Sequence, residues 1–242
     1  MNSQEQYETE KAEKALEKFV PEYNIQRAEA IYKILKNENV HRVLDVGCGL
    51  GKVTVHLAKR GMDVTGVDIS PDLIYLAKEK ALKNNVNVKF ILGELNKVEF
   101  KKKFDAVLFA GVLEHVEDEV SMMNAAKKSI KKNGKIVVFD LSTFDFLYSP
   151  RDKRIGHTKR YSKALSHRLL SEAGYSDIKL IYYNFLMLFG SLYLWIFKKE
   201  EYPYSALNPQ LNKLIGLWYK HIENRFIFPI GDRIIAIGTN RD

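Results

Sequence analysis

The sequence has a single cysteine, Cys48, which excludes an internal disulfide and favours a reducing, cytoplasmic setting. No C-x-x-C, H-x-x-x-H or H-E-x-x-H spacing occurs, so we assign no metal site. Internal repeats and low-complexity blocks are also lacking. Residues 1–20 are charged and helix-prone, without the apolar core of a signal peptide. These absences favour one ordinary globular domain over residues 1–242.

Long apolar runs are scarce. The most apolar stretch, residues 185–197 (FLMLFGSLYLWIF), is shorter than the ~20 residues that a membrane-spanning helix needs. Lys198 and Lys199 follow it directly. The stretch suits buried core, a hydrophobic pocket, or a helix lying in the interface of an anionic membrane. The sequence leaves these three interpretations open.

Positive charge is in excess, at a formal net +8, and it is concentrated in one segment. Residues 151–168 hold seven Lys or Arg against one Asp. Such a segment attracts an anionic substrate, an acidic membrane surface or nucleic acid. The alternative is a solvated loop in a lysine-rich protein.

Strand-like and helix-like segments alternate along the chain, which predicts a parallel sheet with crossover helices. The predicted strands are 43–46, 63–67, 88–92, 104–109, 135–139, 177–185 and 233–240. The predicted helical regions are 5–37 with an interruption at Pro21, 70–82, 116–132, 162–173 and 209–224. We divide the domain into an N-terminal helical region (1–38), a cofactor-binding half (40–140) and an acceptor-side half (141–242).

Three glycines, Gly47, Gly49 and Gly51, stand between the first strand and a helix. A turn of this kind lets a ligand lie against bare backbone where strand ends open into a crevice. Lys52 occupies the position of the third glycine in a dinucleotide motif. Asp45 precedes the turn and suits a cationic amino group rather than a pyrophosphate.

Asp68 ends the second strand, 21 residues beyond Gly47. A carboxylate there accepts hydrogen bonds from both hydroxyls of a ribose. The crevice therefore suits a ribose with a cationic amino-acid tail and no phosphates, which describes S-adenosylmethionine. The alternative for Asp68 is a turn or helix-cap acid.

The stretch VLDVGCGLGKVTVHLAKRGMDVTGVDISPDLIYLAKEKA, followed by FDAVLFAGVLEHVED, resembles the class I S-adenosylmethionine-dependent methyltransferases of small molecules. The resemblance covers roughly residues 40–175. It implies a doubly wound, Rossmann-like α/β fold, with a seven-stranded, mostly parallel sheet, an antiparallel last strand and helices on both faces.

The resemblance also implies a set of cofactor-binding residues. They are Asp45, Gly47, Cys48, Gly49, Ala110 and Gly111 around the methionine end, Asp68 at the ribose, and Ile69, Glu94 and Leu95 at the adenine. The family more often has Asp at the position of Glu94. Without a histidine in its motif, Cys48 is interpreted as a small buried filler, not a nucleophile.

Methyl transfer to oxygen or nitrogen can use a general base, and histidine suits that task near neutral pH. His115 lies just beyond the fourth strand, and His157 lies in the basic segment after the fifth. We predict that these histidines and Tyr161 contact the acceptor, with Asp140 as a second base. Arg160 is a candidate for binding an acceptor phosphate or carboxylate. Packing, capping or a merely cationic loop is the alternative.

The sequence thus predicts a methyltransferase that modifies a small or amphiphilic acceptor at oxygen. The tail, residues 208–240, is similar to the ends of methyltransferases of cell-surface saccharide or glycolipid synthesis, which favours a lipid-linked sugar acceptor and peripheral membrane contact. An RNA methyltransferase, a non-catalytic cofactor-binding scaffold and an NAD-dependent oxidoreductase are the alternatives. A nucleic-acid partner is disfavoured because no separate basic, aromatic-rich module is present.

Overall fold

The computed structural model describes residues 21–200 and 209–242 and contains one seven-stranded sheet. The strands are β1 (Arg42–Val46), β2 (Asp63–Asp68), β3 (Lys89–Leu92), β4 (Phe104–Ala110), β5 (Ile130–Ser142), β6 (Ser176–Tyr183) and β7 (Arg233–Thr239). Their spatial order is β3-β2-β1-β4-β5-β7-β6. The order reverses between β1 and β4, and such a switch point is where an open α/β sheet forms its ligand crevice.

Strand direction decides which loops can share a site. Strands β1 to β5 pair in parallel, whereas β7 is antiparallel to both β5 and β6. The predicted mostly parallel sheet with an antiparallel last strand is therefore confirmed. Because β6 runs in the same direction as β1 to β5, the segments that follow all six strands lie at one edge. The segment that precedes β7 also lies there.

Helices cover both faces of the sheet. They are α1 (Pro21–Asn37), α2 (Lys52–Lys59), α3 (Pro71–Lys83), α4 (Glu119–Ser129), α5 (Pro150–Arg154), α6 (Lys163–Glu172), α7 (Phe185–Ile196) and α8 (Pro209–Trp218), which continues into a π turn (Tyr219–Glu223). Ser70 caps α3, since its side chain accepts from the Leu73 N–H, and Pro71 is the first helical residue.

The core lies in two layers, one on each face of the sheet. In β4, Val107 and Phe109 join the layer beneath α4 and α6, and Ala106 and Leu108 join the layer beneath α1 and α2. All four side chains are fully buried. This explains why β4 is continuously apolar after Asp105 instead of alternating with polar residues.

The helix predicted over 116–132 differs from the observed α4, which ends at Ser129. Ile130 is fully buried and pairs with Phe104, so the chain enters β5 earlier than predicted. A register shift between Phe104 and Ala106 and the positive φ of Asn133 (63°) accommodate the extra residues. Tertiary burial of one side chain thus overrides the local helical pattern. Residues 5–20 of the predicted N-terminal helical region lie outside the described residues.

Candidate active site

The glycine turn after β1 has a conformation that ordinary residues avoid. Gly47, Gly49 and Gly51 have φ values of 66°, 51° and 70°. A Cβ atom on Gly47 would lie 2.7 Å from Cγ2 of Val112, in the segment after β4. One on Gly51 would lie 3.0 Å from the Cβ of Ala77 in α3. The turn therefore presents bare backbone at the crevice and packs closely against the segments around it.

Asp68 joins the end of β2 to this turn. One carboxylate oxygen accepts from the Gly49 N–H at 2.8 Å, and the other accepts from the Ser70 N–H at 3.0 Å. Each oxygen keeps a second lone pair, so the carboxylate can still receive ribose hydroxyls. The turn-acid role is thus present in the structure, and the ribose contact stays a prediction compatible with it.

Asp45 is buried beneath the turn, where its carboxylate accepts from the Thr54 hydroxyl at 2.6 Å. Burial raises the pKa of Asp45 to about 6, against the Thr54 hydrogen bond and the charge of Arg27, which both lower it. A buried carboxylate lacking a full counter-charge is a natural partner for a cationic ligand group. Its contact with the amino group of the cofactor remains a prediction.

The adenine-side residues have different environments. Ile69 is 55% exposed at the tip of β2, although it is apolar, so it offers a surface on which a planar ring can pack. Leu95 is buried and belongs to the core. Glu94 is half exposed and accepts from the Lys97 ammonium at 2.7 Å. Ile69 is thus the predicted adenine contact that the structure leaves most open to a ligand.

Arg27 of α1 is a candidate site residue that sequence reasoning missed. Its guanidinium forms an ion pair with Asp140 at the end of the regular part of β5, and it lies 5.8 Å from the ring centroid of Phe139. Arg27 Nη2 is also 3.4 Å from where a Gly111 Cβ would stand. A cation beside the predicted methionine end suits a carboxylate ligand. The only sequence signal was an Arg in an otherwise apolar face of a helix.

The ion pair with Arg27 changes the interpretation of Asp140. This residue has a positive φ of 73°, and its carboxylate is largely buried against the guanidinium. The Asp140 carboxylate therefore already has a structural partner, and its role as a second base stays a prediction.

The two predicted histidines meet at the carboxyl edge of the sheet. The rings of His115 and His157 meet edge to face at an interplanar angle of 70°, with centroids 5.0 Å apart. His115 follows Val112, the residue that packs on Gly47, and its N–H donates to the Val112 carbonyl. The pair therefore lies next to the glycine turn. Although His115 is partly exposed, desolvation and the charge of His157 lower its pKa.

Asp152 of α5 orients His157. The two side chains are in contact, with 3.1 Å between His157 Nδ1 and Asp152 Oδ1. Burial alone would raise the pKa of Asp152, but hydrogen bonds from His157 and the charge of Arg160 hold it below the usual range. The carboxylate is therefore ionised and only accepts, so Nδ1 of His157 donates and Nε2 is left as the acceptor. Sequence reasoning missed this residue, because Asp152 stands among basic residues.

Tyr161 and Arg160 are both buried and bonded within the protein, so their contact with an acceptor stays a prediction. The Tyr161 hydroxyl lies within hydrogen-bond distance of the Glu119 carboxylate and of the Leu113 carbonyl. Burial, together with the Glu119 carboxylate, raises the pKa of Tyr161 well above its usual range. Arg160 is buried too and pairs with Asp152 at 2.9 Å and with Asp232 at 3.6 Å. Both side chains hold the loop to the core.

The basic segment 151–168 is therefore less positive than its composition suggested. Arg160 is neutralised internally, Lys159 pairs with Glu119 at 2.5 Å, and the Lys163 ammonium lies 4.0 Å from the Tyr182 ring centroid. These contacts leave fewer free cations in the segment for an RNA partner. Among residues 21–200 and 209–242, no group of three or more His, Cys, Asp or Glu is placed to hold a metal ion.

Tyr161 allows a direct test of its structural role. We expect Tyr161→Phe to lower the free energy of unfolding by about 1–2 kcal/mol, because a buried hydroxyl and its partners lose their hydrogen bonds. Cofactor affinity should not change. Urea denaturation measures the first quantity and calorimetric titration the second. Tyr75→Phe, which alters an exposed tyrosine of α3, is the matched control. A loss of turnover in Tyr161→Phe without a loss of stability would instead support contact between Tyr161 and the acceptor.

Comparison with known proteins agrees with this geometry. A family model described as a methyltransferase domain matches residues 37–187, more than half of the chain. The chain belongs to this family. Its fold and glycine turn are those of the class I S-adenosylmethionine-dependent methyltransferases, and the predicted family and cofactor are confirmed.

Individual relatives are similar over part of their length. The ubiquinone biosynthesis O-methyltransferase of Hydrogenovibrio crunogenus is 36% identical over 110 residues, which cover 45% of each chain. The chain thus spans less than half the length of this curated relative. A crystal structure of an S-adenosylmethionine-dependent methyltransferase from Archaeoglobus fulgidus has a TM-score of 0.54 at 21% identity, covering 88% of this chain and 94% of that one.

A third relative was solved with a cofactor product. Magnesium protoporphyrin IX methyltransferase from Synechocystis, with bound S-adenosylhomocysteine, has a TM-score of 0.56 at 21% identity and covers 68% of this chain and 80% of that one. At these identities the likeness of both structures concerns the fold.

Proposed function

We propose that this protein transfers the methyl group of S-adenosylmethionine to a hydroxyl oxygen of a small or amphiphilic acceptor. The observation that carries the proposal is the pair of His115 and His157 beside the glycine turn, with Asp152 orienting the second histidine. An oxygen acceptor must lose a proton, and this pair provides a base at the correct edge of the sheet. The O-methyltransferase name of the 36% identical relative agrees with oxygen as the acceptor atom.

The residues of this chain fit the cofactor at each of its parts. The turn from Gly47 to Gly51 offers bare backbone, Asp68 keeps lone pairs that could accept from ribose hydroxyls, and Ile69 is exposed for adenine. Asp45 and Arg27 bring opposite charges towards the zwitterionic methionine end. The bound cofactor would supply an activated methyl group on a sulfonium.

The transfer then needs little more than alignment and a proton acceptor. The acceptor oxygen forms its bond to the methyl carbon as the carbon–sulfur bond breaks, and the sulfur leaves with that electron pair as a neutral thioether. The hydroxyl proton passes to Nε2 of His157. Asp152 stabilises the resulting imidazolium through Nδ1, much as an acid orients histidine in other general-base pairs.

The proposal predicts a specific defect in His157→Gln. We expect turnover at saturating cofactor to fall about 10- to 100-fold, because proton removal slows while the activated methyl group is unaffected. The affinity for S-adenosylhomocysteine should not change. His167→Gln, an exposed histidine of α6, is the matched control. Wild-type turnover by His157→Gln would remove this histidine from the mechanism.

The acceptor is sought by incubating the protein and labelled cofactor with cell extract, followed by mass spectrometry of metabolites and lipids that gain one methyl group. A scaffold without catalytic activity would label no fraction.

A further inference from the structure

The helix α7 is apolar on all of its faces. Its 12 residues contain no charged side chain, and the structure buries only one face, through Gly190, Ser191 and Leu194. The opposite face is open: Phe189 is 60% exposed and Ile196 is 52% exposed, with Leu192 between them. A helix that is hydrophobic all round is ordinarily covered on all sides. One face of α7 therefore lacks its cover among the described residues.

Neighbouring segments extend this open face. Phe146, exposed in the segment after β5, contacts Trp195 at a ring separation of 6.1 Å. At the other end of α7, Phe185 stacks on Phe228 at 4.8 Å, and Phe226 and Ile227 beside it are exposed. We use the name apolar surface for Phe146, Phe189, Leu192, Ile196, Phe197, Phe226 and Ile227. Contiguous exposed apolar side chains of this extent mark interaction sites.

The charges around the apolar surface are positive. Lys198 and Lys199 follow α7 and are exposed, and the Lys198 ammonium lies 5.1 Å from the Trp195 ring centroid. Arg225 is exposed next to Phe226. Two exposed acids lie nearby, Asp145 before Phe146 and Glu200 after Lys199, but Glu200 pairs with Arg154. Glu223 and Asp232 are buried, so the exposed cations outnumber the exposed acids. Aromatic and aliphatic side chains with lysines at their margin match an anionic lipid headgroup layer.

The position of the apolar surface relates it to the candidate active site. α7 follows β6, Phe146 follows β5, and Phe226 precedes β7, so all three lie at the edge of the sheet that carries the glycine turn. Hydrogen bonds tie these segments together, since the Asp232 N–H donates to the Asn184 carbonyl and the Thr143 N–H donates to the Asp232 carbonyl. A surface bound here would lie beside the acceptor entrance.

We propose that the apolar surface lies on the surface of an anionic lipid bilayer, with α7 parallel to the membrane plane. No helix of the described residues is long and apolar enough to cross a bilayer, so the contact is interfacial. The contact gives a membrane-borne amphiphilic acceptor a short path to His157. That last step rests on the proposed function, whereas the membrane contact does not.

Flotation with vesicles tests the contact. The probes are vesicles of phosphatidylcholine alone and of phosphatidylcholine with phosphatidylglycerol, at low and high salt. We expect the protein to float with the anionic vesicles at low salt and less at high salt. In the double variant Phe189→Glu/Ile196→Glu, binding should fall about tenfold or more, because charged side chains replace exposed apolar ones that the bilayer would bury. Leu82→Glu, at a 79% exposed leucine of α3, is the matched control and should float like the wild type.

Two results would overturn the inference. One is the absence of flotation at low salt. The other is a dimer in solution that the double variant converts to monomer, which would make a second copy the occupant of the apolar surface. Titration with S-adenosylhomocysteine on the same preparations separates this inference from the proposed function. Normal cofactor affinity without flotation defeats only the membrane contact, and flotation without cofactor affinity defeats only the methyl transfer.

Discussion

Asp68→Ala is expected to weaken the binding of S-adenosylhomocysteine by ~2–4 kcal/mol, which corresponds to ~30- to 1000-fold in Kd. The carboxylate at the tip of β2 would lose two charge-assisted hydrogen bonds to the ribose hydroxyls. The substitution would also remove the acceptor of the Gly49 N–H, whose hydrogen bond shapes the turn against which the cofactor would lie. Isothermal titration calorimetry measures the change.

The same substitution should also destabilise the free protein. The N–H groups of Gly49 and Ser70 would be left without their acceptor, at a cost of ~1–3 kcal/mol for each one that water cannot reach. Asp68→Asn keeps one acceptor oxygen and should be intermediate in both stability and affinity. Asp72→Ala removes an exposed acid from the start of α3 and is the control. A folded Asp68→Ala protein with wild-type affinity would show that the ribose lies elsewhere.

The cofactor half of the site was predictable because its signals are local. Gly47, Gly49 and Gly51 follow one strand directly, and Asp68 ends the next, so spacing along the chain places them at one edge of the sheet. His115 follows β4 in the same manner. In each case the position of a residue relative to the end of its own strand is sufficient to place it.

The acceptor half was less predictable because its contacts join distant parts of the chain. Nothing near Arg160 in the sequence indicates that Asp232 lies against it, so the sequence does not show that this cation is buried and paired. The partner of the Tyr161 hydroxyl was not predictable for the same reason, since Glu119 belongs to α4. Arg27 reaches Asp140 across more than a hundred residues. Composition describes such a loop, but only the fold shows which of its charges are already paired.

Asp45 lies just before the glycine turn, as the sequence predicts. Its burial was not apparent from the sequence. The pKa of its carboxyl is raised from 3.8 to about 6 by burial. A group whose pKa is higher in the folded state stabilises the fold when protonated. That stability is fully present below the unfolded pKa and is lost as pH rises through the folded pKa. At pH 7 the ionised Asp45 therefore costs ~3 kcal/mol relative to an unshifted carboxyl.

We therefore expect Asp45→Asn to stabilise the free protein by ~2–3 kcal/mol at pH 7, because the amide is never ionised and can still accept from Thr54. The gain should shrink as pH falls from 6 towards 4, which urea denaturation at a series of pH values would measure. Thr54→Val, which removes the donor instead, should destabilise the protein and serves as the opposite control.

The same Asp45→Asn variant should bind S-adenosylhomocysteine more weakly, because the negative charge that faces the ammonium of the ligand is gone. A carboxylate that binds a cationic ligand is expected to lower the stability of the free protein and to raise the affinity for the ligand. A purely structural acid would show no such opposition. Equal stability of Asp45→Asn and the wild type at pH 7, or unchanged affinity despite higher stability, would place the cationic end of the cofactor away from Asp45.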